Sequence, residues 1–249
     1  MQRYFVTNQQ ISGGTVIILG NDCHHIKNVM RMQPGMAVEA ADEAGNVYAC
    51  IIDQLASNQV ILKIEKKLDR NTELPWDVTI AMGLTKFPKQ EEVLRRIVEL
   101  GAAGFVSVEM ARSVLKLAFA SEGKLDRMAL IVKEASEQSL RNKLLKVFPI
   151  TGFKSFLEMS KNFDLCLYAY EERGKADDFS LKGILQNFSG RSILFLTGPE
   201  GGISPQEAEK LDQNGFHAVG LGPRILRCET APLYAMAVIS YEAELKNES

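Results

Sequence analysis

The sequence predicts an α/β protein in two parts: a small β-barrel over residues 1–70, then a larger domain over 71–249 built on a mostly parallel sheet. Three observations carry this reading. Residues 1 to about 70 hold short β-type runs separated by turn-forming residues. From Asp77 onward strand-like and helix-like runs alternate, the pattern of a sheet covered on both faces. Near the C-terminus two glycine-rich segments each lead from a strand into a helix.

In the first part, Tyr4–Thr7, Thr15–Leu19, Ala37–Ala41, Val47–Asp53 and Gln59–Glu65 are the strand candidates. Gly13-Gly14, Pro34-Gly35, Asp42 to Asn46 and Ser57-Asn58 supply the turns, and one helix over Asp22–Met32 interrupts them. Several short strands with regular turns suggest a small barrel. Lys27 and Arg31 stand four apart, so a helix would set them on one face, where they could grip neighbouring phosphates or simply meet solvent. Lys66 to Pro75 is polar and proline-ended, and reads as the linker.

In the second part, Val78–Met82, Phe105–Val108, Asp164–Tyr170 and Phe216–Val219 read as strands, and the run opening at Ser192 reads as a buried strand that passes into a tight glycine loop. Gln90–Leu100 is a helix with Val93, Leu94, Ile97 and Val98 on one face and Gly101 past its end. Lys124–Arg141 is a longer helix, which places Gln138 and Arg141 on one face. Ser204, Pro205 and Glu207 form a helix start: an N-cap, a first-turn proline and a capping-box acid. A last apolar helix runs from about Ala231 to Leu245.

The chemistry concentrates in Gly198-Pro199-Glu200-Gly201-Gly202 and in Gly220 to Ala231, two loops whose glycines lie 18 to 20 residues apart. Glycine pairs often mark nothing more than a turn. Two such loops meeting at the carboxyl ends of neighbouring strands would, however, form the usual ligand site of an open α/β sheet. Neither is G-x-G-x-x-G or a Walker A loop, which disfavours a dinucleotide-binding oxidoreductase.

Composition narrows the classes. Hydrophobic content of 46% and charged content of 24% are ordinary for a globular protein. No apolar run approaches the ~20 residues of a membrane span, and Met1 to Tyr4 has no signal-peptide character, so a cytoplasmic protein is expected. Cys23, Cys50, Cys166 and Cys228 lack framework spacing and read as reduced thiols. Cys23-His24-His25 is a poor metal motif, because consecutive helical residues diverge, so no metal is expected. The net charge of −2 argues against indiscriminate nucleic-acid coating, and residues 1–72 hold seven basic and seven acidic side chains. Any RNA contact must come from particular residues.

Gly198 to Gly202 followed by Leu221-Gly222-Pro223-Arg224-Ile225-Leu226-Arg227-Cys228-Glu229-Thr230-Ala231 resembles the RsmE family, SPOUT-class methyltransferases of bacterial 16S ribosomal RNA. His24 to Arg31 and Glu134 to Arg141 are similar to further family segments. The chain departs from the family pattern at Met30 (leucine expected), Arg96 (lysine) and Cys228 (threonine).

This resemblance implies a PUA-like N-terminal barrel for RNA recognition and a SPOUT domain with a C-terminal trefoil knot. It also implies S-adenosylmethionine as cofactor, N-3 of a 16S rRNA uridine as target, assembled small subunits as substrate, and a homodimer. It assigns the cofactor to Leu196, Thr197, Gly198, Gly201, Gly202, Leu221, Gly222, Arg224, Ile225 and Leu226. RNA contacts fall to Arg3, His25, Lys27, Arg31, Lys86, Gln138 and Arg141. Arg227, Arg3 and Glu200 are the catalytic candidates, with Arg224 and Glu229 as further choices; loop and helix-cap stabilisation is at least an equal alternative for Glu200 and Glu229. Because a deprotonated ring nitrogen needs no covalent catalyst, Cys228 is not expected to be a nucleophile. A non-catalytic RNA-binding assembly factor is the competing reading, and cofactor binding separates the two.

Overall fold

Hydrophobic alternation in the first part resolves into a six-stranded sheet, in a computed structural model that describes residues 1–117, 122–172 and 180–245. Residues 118–121, 173–179 and 246–249, all within the expected second domain, lie outside the described residues. The chain divides into two units, Met1–Glu73 with Ser136–Leu144, and Leu74–Ala135 with Leu145–Ser249. The first unit therefore takes in a segment that the sequence reading assigned to the second domain.

The strands of the first unit are β1 (Arg3–Phe5), β2 (Ile11–Ser12), β3 (Thr15–Leu19), β4 (Ala37–Ala41), β5 (Val47–Leu55) and β6 (Gln59–Leu68), in the order β1-β4-β5-β6-β3-β2. All pairings are antiparallel except β1 with β4. Inward residues such as Val16, Ile18, Val38, Ile52, Val60 and Leu62 form its core with Tyr4 and Ile26. The expected helix is shorter and split: α1 (Gly20–His24) passes into a wider π-type turn over His25–Val29. Arg31 follows in the left-handed region at φ 50°. Lys27 and Arg31 therefore do not share a helical face, since the helix ends between them.

Most of the anticipated linker, Lys66 to Glu73, belongs to this unit, while Leu74 and Pro75 fall in the second. β6 runs on to Leu68, and Arg70, Thr72 and Glu73 join a buried polar network with Ser136–Leu144. Arg3, fully buried, donates to Glu39 Oε2 (2.7 and 2.9 Å), to the Leu140 and Arg141 carbonyls and to Asn142 Oδ1. Arg70 reaches the same Glu39 at 2.8 Å, and Arg141 pairs with Glu73 at 2.5 Å.

The second unit holds a seven-stranded, all-parallel sheet of β7 (Asp77–Gly83), β8 (Gly104–Glu109), β9 (Lys146–Val147), β10 (Thr151–Gly152), β11 (Leu165–Ala169), β12 (Ser192–Thr197) and β13 (His217–Val219). The order is β10-β8-β7-β12-β11-β13, with β9 also on β8, so β12 is threaded between two strands laid down before it. Alternation sends Ile193 and Phe195 to one face and Leu194 and Leu196 to the other. Helices α2 (Phe87–Glu99), α3 (Glu122–Gln138), α5 (Ser180–Gln186) and α7 (Thr230–Ser240) serve the first of those cores. Helices α4 (Phe153–Ser160) and α6 (Pro205–Gln213) cover the second. α3 ends at Gln138 and Leu140 turns left-handed (φ 56°), so Arg141 leaves the helix and shares no face with Gln138.

The β4–β5 turn rests on Asp42. Its carboxylate accepts from the Ala44 and Asn46 amides, the Asn46 side chain and the Tyr48 hydroxyl, at 2.8 to 3.0 Å. Burial is the largest single influence and pushes its pKa up, but the hydrogen bonds from Asn46, Tyr48 and Ala44 together leave it below the ordinary value. A depressed carboxyl stabilises the fold fully above its unfolded pKa near 4, and this is lost as pH falls through the folded value. Asp42→Ala should therefore cost about 1–3 kcal/mol in urea denaturation at pH 7. The gap to the parent should narrow below about pH 4; a gap unchanged down to pH 2 would show that the turn does not use the charge.

Candidate functional site: a cavity at the carboxyl edge of the parallel sheet

The central strands β7, β12 and β11 end side by side, and β13 ends beside β11. The loops that follow β11, β12 and β13 wall a cavity of about 570 Å³, within the usual range for small-molecule sites. Tyr170, Glu171 and Glu172 come from the first loop, Gly198 to Ile203 from the second and Leu221 to Cys228 from the third, with Arg112 from the loop after β8. At the end of β7, a Cβ on Gly83 would stand 2.3 Å from the Pro199 nitrogen, so only glycine lets the second loop cross there. Gly222 sits at φ +91°, and a Cβ built on it meets only Arg224 Nη2 at 3.8 Å. It leaves a cradle that any side chain would begin to fill.

A single carboxylate fixes two of these walls. Ser204 caps α6, and Glu207 returns the bond, accepting from the Ser204 amide and hydroxyl at 3.0 and 2.7 Å. Its other oxygen takes the Ala111 amide at 2.7 Å. The next residue, Arg112, donates to the Gly201 carbonyl at 3.1 Å. The capping box thus starts the helix and also moors the β8 loop against the glycine loop.

Charge at the rim is balanced. Lys89, from the first turn of α2, lies 3.6 Å from Glu200 and 3.5 Å from Glu229, and 3.9 Å from Cys228 Sγ. The Cys228 thiol donates to Glu229 Oε2 at 3.1 Å. Burial, with that hydrogen bond and the neighbouring carboxylates, pushes the thiol up to about 12, so it stays neutral at physiological pH. Glu229 is held below the usual carboxylate range, first by the Cys228 thiol and also by Lys89. Lys89 is raised by the Cys228 side chain, then by Glu229 and Glu200. With the thiol neutral near pH 7, the two carboxylates are the charges this ammonium meets. Glu229 occupies the N-cap of α7 but makes no side-chain capping bond there.

Most of the residues assigned to the cofactor come together. Gly198, Gly201, Gly202, Leu221, Gly222, Arg224, Ile225 and Leu226 line the cavity, as do Glu200 and Arg227. Leu196 and Thr197 do not: both are fully buried, Leu196 in the sheet core and Thr197 beneath the loop with its hydroxyl toward the Ala81 carbonyl. Arg227 is 86% exposed. Gly83, Arg112 and the Tyr170–Glu172 stretch after β11 were not singled out from sequence. For the last, the rule that ligands gather at strand carboxyl ends was the available signal.

The RNA candidates of the first unit separate into three kinds. Arg31 is exposed, as is Gln138 at the end of α3. His25 is half-buried with Nδ1 3.0 Å from the Tyr4 hydroxyl, and Lys27 donates to the Ala56 and Ser57 carbonyls. Arg3 and Arg141, expected to face RNA, are instead interior residues whose guanidinium groups are enclosed by the network around Glu39 and Glu73. Arg3, fully buried in the first unit, likewise presents no surface to a substrate for a catalytic role. In the second unit Lys86 is exposed just ahead of α2. Among the described residues no group of three or more His, Cys, Asp or Glu is arranged to hold a metal, and no helix is long and apolar enough to cross a membrane.

A loop-walled cavity at the carboxyl edge of a parallel sheet is the usual place for a small-molecule ligand, and the family matches give the class. Residues 72–240 match the RNA methyltransferase domain family and residues 18–65 the RNA methyltransferase PUA domain family. The ribosomal RNA small subunit methyltransferase E of Bacillus subtilis is 41% identical over 251 residues, covering 98% of each chain. The Synechocystis protein of that name is 34% identical over 96% of this chain and 77% of its own. A crystal structure of the Neisseria gonorrhoeae protein of that name, bound to S-adenosyl methionine, superposes with a TM-score of 0.84 at 29% identity, covering 96% of each chain. The chain belongs to the ribosomal RNA small subunit methyltransferase E family.

Removing the mooring carboxylate tests the site's construction. Glu207→Ala should cost about 2–3 kcal/mol, the loss of a cap and of a buried charged acceptor. It should also free the Ala111–Arg112 loop, read as faster trypsin cleavage after Arg112. Cleavage at the parental rate would show that another contact holds the loop.

Proposed function

We propose that this chain transfers a methyl group from S-adenosylmethionine to N-3 of a uridine in the 16S rRNA of the small ribosomal subunit. The observation that carries the reading is the cavity of about 570 Å³ walled by the loops after β11, β12 and β13, in a member of this family. The residues present suit an adenosyl group: Leu221, Ile225 and Leu226 offer apolar surface, and the bare Cα of Gly222 leaves the room. Bound there, the cofactor supplies a methyl group already activated as a sulfonium.

The protein's part is positioning and electrostatics. Holding a target base at the mouth of the cavity can be worth about 7–11 kcal/mol. Arg112, Arg224 and Arg227 bring positive charge to that mouth, which favours loss of the imide proton and stabilises the negative charge it leaves on the base. Glu200 is the proton acceptor among the lining carboxylates of the glycine loop. Cys228, kept as a neutral thiol, forms no bond to substrate.

On the first unit RNA meets the exposed Arg31, with His25, Lys27 and Gln138 as polar partners; on the second, the exposed Lys86 is a separate contact. The passage of β12 between β7 and β11 supports a C-terminal trefoil knot. The exposed Tyr234, Tyr241 and Leu245 along α7 and the turn after it support a homodimer. The protein works in the cytoplasm, on assembled small subunits.

A methyl on N-3 blocks the Watson–Crick edge, so reverse transcription across small-subunit RNA should stop at the modified uridine. The stop should vanish on deletion of the gene, return with the parental gene and fail to return with Gly222→Val, which forces a branched side chain into φ +91° and the cavity. Stops unchanged by deletion would leave an assembly factor as the better description. Arg31→Ala should weaken RNA binding and reduce the slope of log affinity against log salt by about one phosphate contact, ~0.7–0.9. An unaltered slope would return Arg31 to an ordinary solvated side chain.

A further inference from the structure

We propose that Lys89 is a positioning residue of the methyl-donor site: its ammonium, shared between Glu200 and Glu229, ties the loop after β12 to the loop after β13 and so sets the cavity's affinity for S-adenosylmethionine. The inference rests on the reading that this cavity holds that cofactor.

The sheet leaves this task undone. β12 and β13 are not neighbours, since β11 lies between them, and no strand ladder joins the two loops that leave them. Side chains must span the gap. Lys89 comes from a third element, α2, and places Nζ 3.6 Å from Glu200 Oε1 on one loop and 3.5 Å from Glu229 Oε2 on the other. Glu200 lines the cavity, and Glu229 is bonded to Cys228, which lines it too. The lysine side chain is 38% exposed and the carboxylates 27% and 24%, so either pair alone is a weak surface ion pair. The arrangement matters because one cation serves two anions. Without it the carboxylates repel, and the loops that carry them are pushed apart.

Two consequences can be read separately. Loosened loops weaken any adenosyl ligand. Loss of one positive charge also makes the rim more negative, which favours S-adenosylmethionine, whose sulfonium is cationic, over its demethylated product, whose thioether is neutral. A lysine that served only through the packing of its methylene stem would shift both ligands equally.

Calorimetric titration of the full chain with each ligand tests this, using the parent, Lys89→Met and Lys89→Arg. We expect Lys89→Met to weaken the demethylated product about tenfold and S-adenosylmethionine about threefold, with Lys89→Arg within about twofold of the parent for both. The difference between ligands should shrink in high salt. Melting of unliganded Lys89→Met close to that of the parent would establish that the loss is not one of folding. Parental affinity in Lys89→Met, or equal weakening of both ligands that arginine does not restore, would overturn the proposal. A parent chain that binds neither ligand would instead overturn the cofactor reading beneath it.

Discussion

The site exists because β12 is laid between β7 and β11. A central strand must pair its backbone on both sides, since unpaired buried amides are costly, and β12 does so in register with Asp77–Met82 on one side and Leu165–Tyr168 on the other. That pairing fixes where Gly198 emerges. It brings the second loop across Gly83 and sets it beside the end of β11, so that the third loop, leaving β13, closes the remaining wall. No loop residue selects this position. The strand order does, and the side chains then furnish it.

What furnishes it is a short set of polar contacts working at different depths. Glu207 is buried and acts through hydrogen bonds to main-chain amides, which hold their geometry at any salt concentration. Lys89 acts at the rim through charge, where water and ions screen it. Between them Cys228 sits in a setting that keeps its sulfur protonated and unreactive. The departure from the family's threonine at this position therefore brings no thiolate to the site.

Much of the architecture was legible in the chain. Thr15–Leu19 and Ala37–Ala41 have the bounds that turn residues and alternation suggested, and the Ser204–Pro205–Glu207 helix start has the expected capping box. The two-residue strands β2, β9 and β10 carry too little sequence to show a period, and the short helices α4 and α5 offer few turns to read. The site was half legible. Glycine loops announce themselves, but Arg112 joins the cavity wall, and Gly83 meets Pro199, through pairings between strands remote in sequence. Arg3 and Arg141 misled for a related reason: a lone arginine reads as a surface cation until its partners, Glu39 and Glu73, are known to enclose it.

The recruitment of Ser136–Leu144 into the first unit limits how freely this module can travel. Arg3 finds three of its acceptors on Leu140, Arg141 and Asn142, and Glu73 finds its cation on Arg141. Severing the chain after Glu73 would leave Arg3 with Glu39 alone and take from Glu73 its cation, and breaking a buried ion pair typically costs about 3–5 kcal/mol. The first unit is consequently not a portable cassette: any natural shuffling or engineered graft has to transplant two stretches of sequence together, and its evolution remains bound to the end of a helix encoded far downstream.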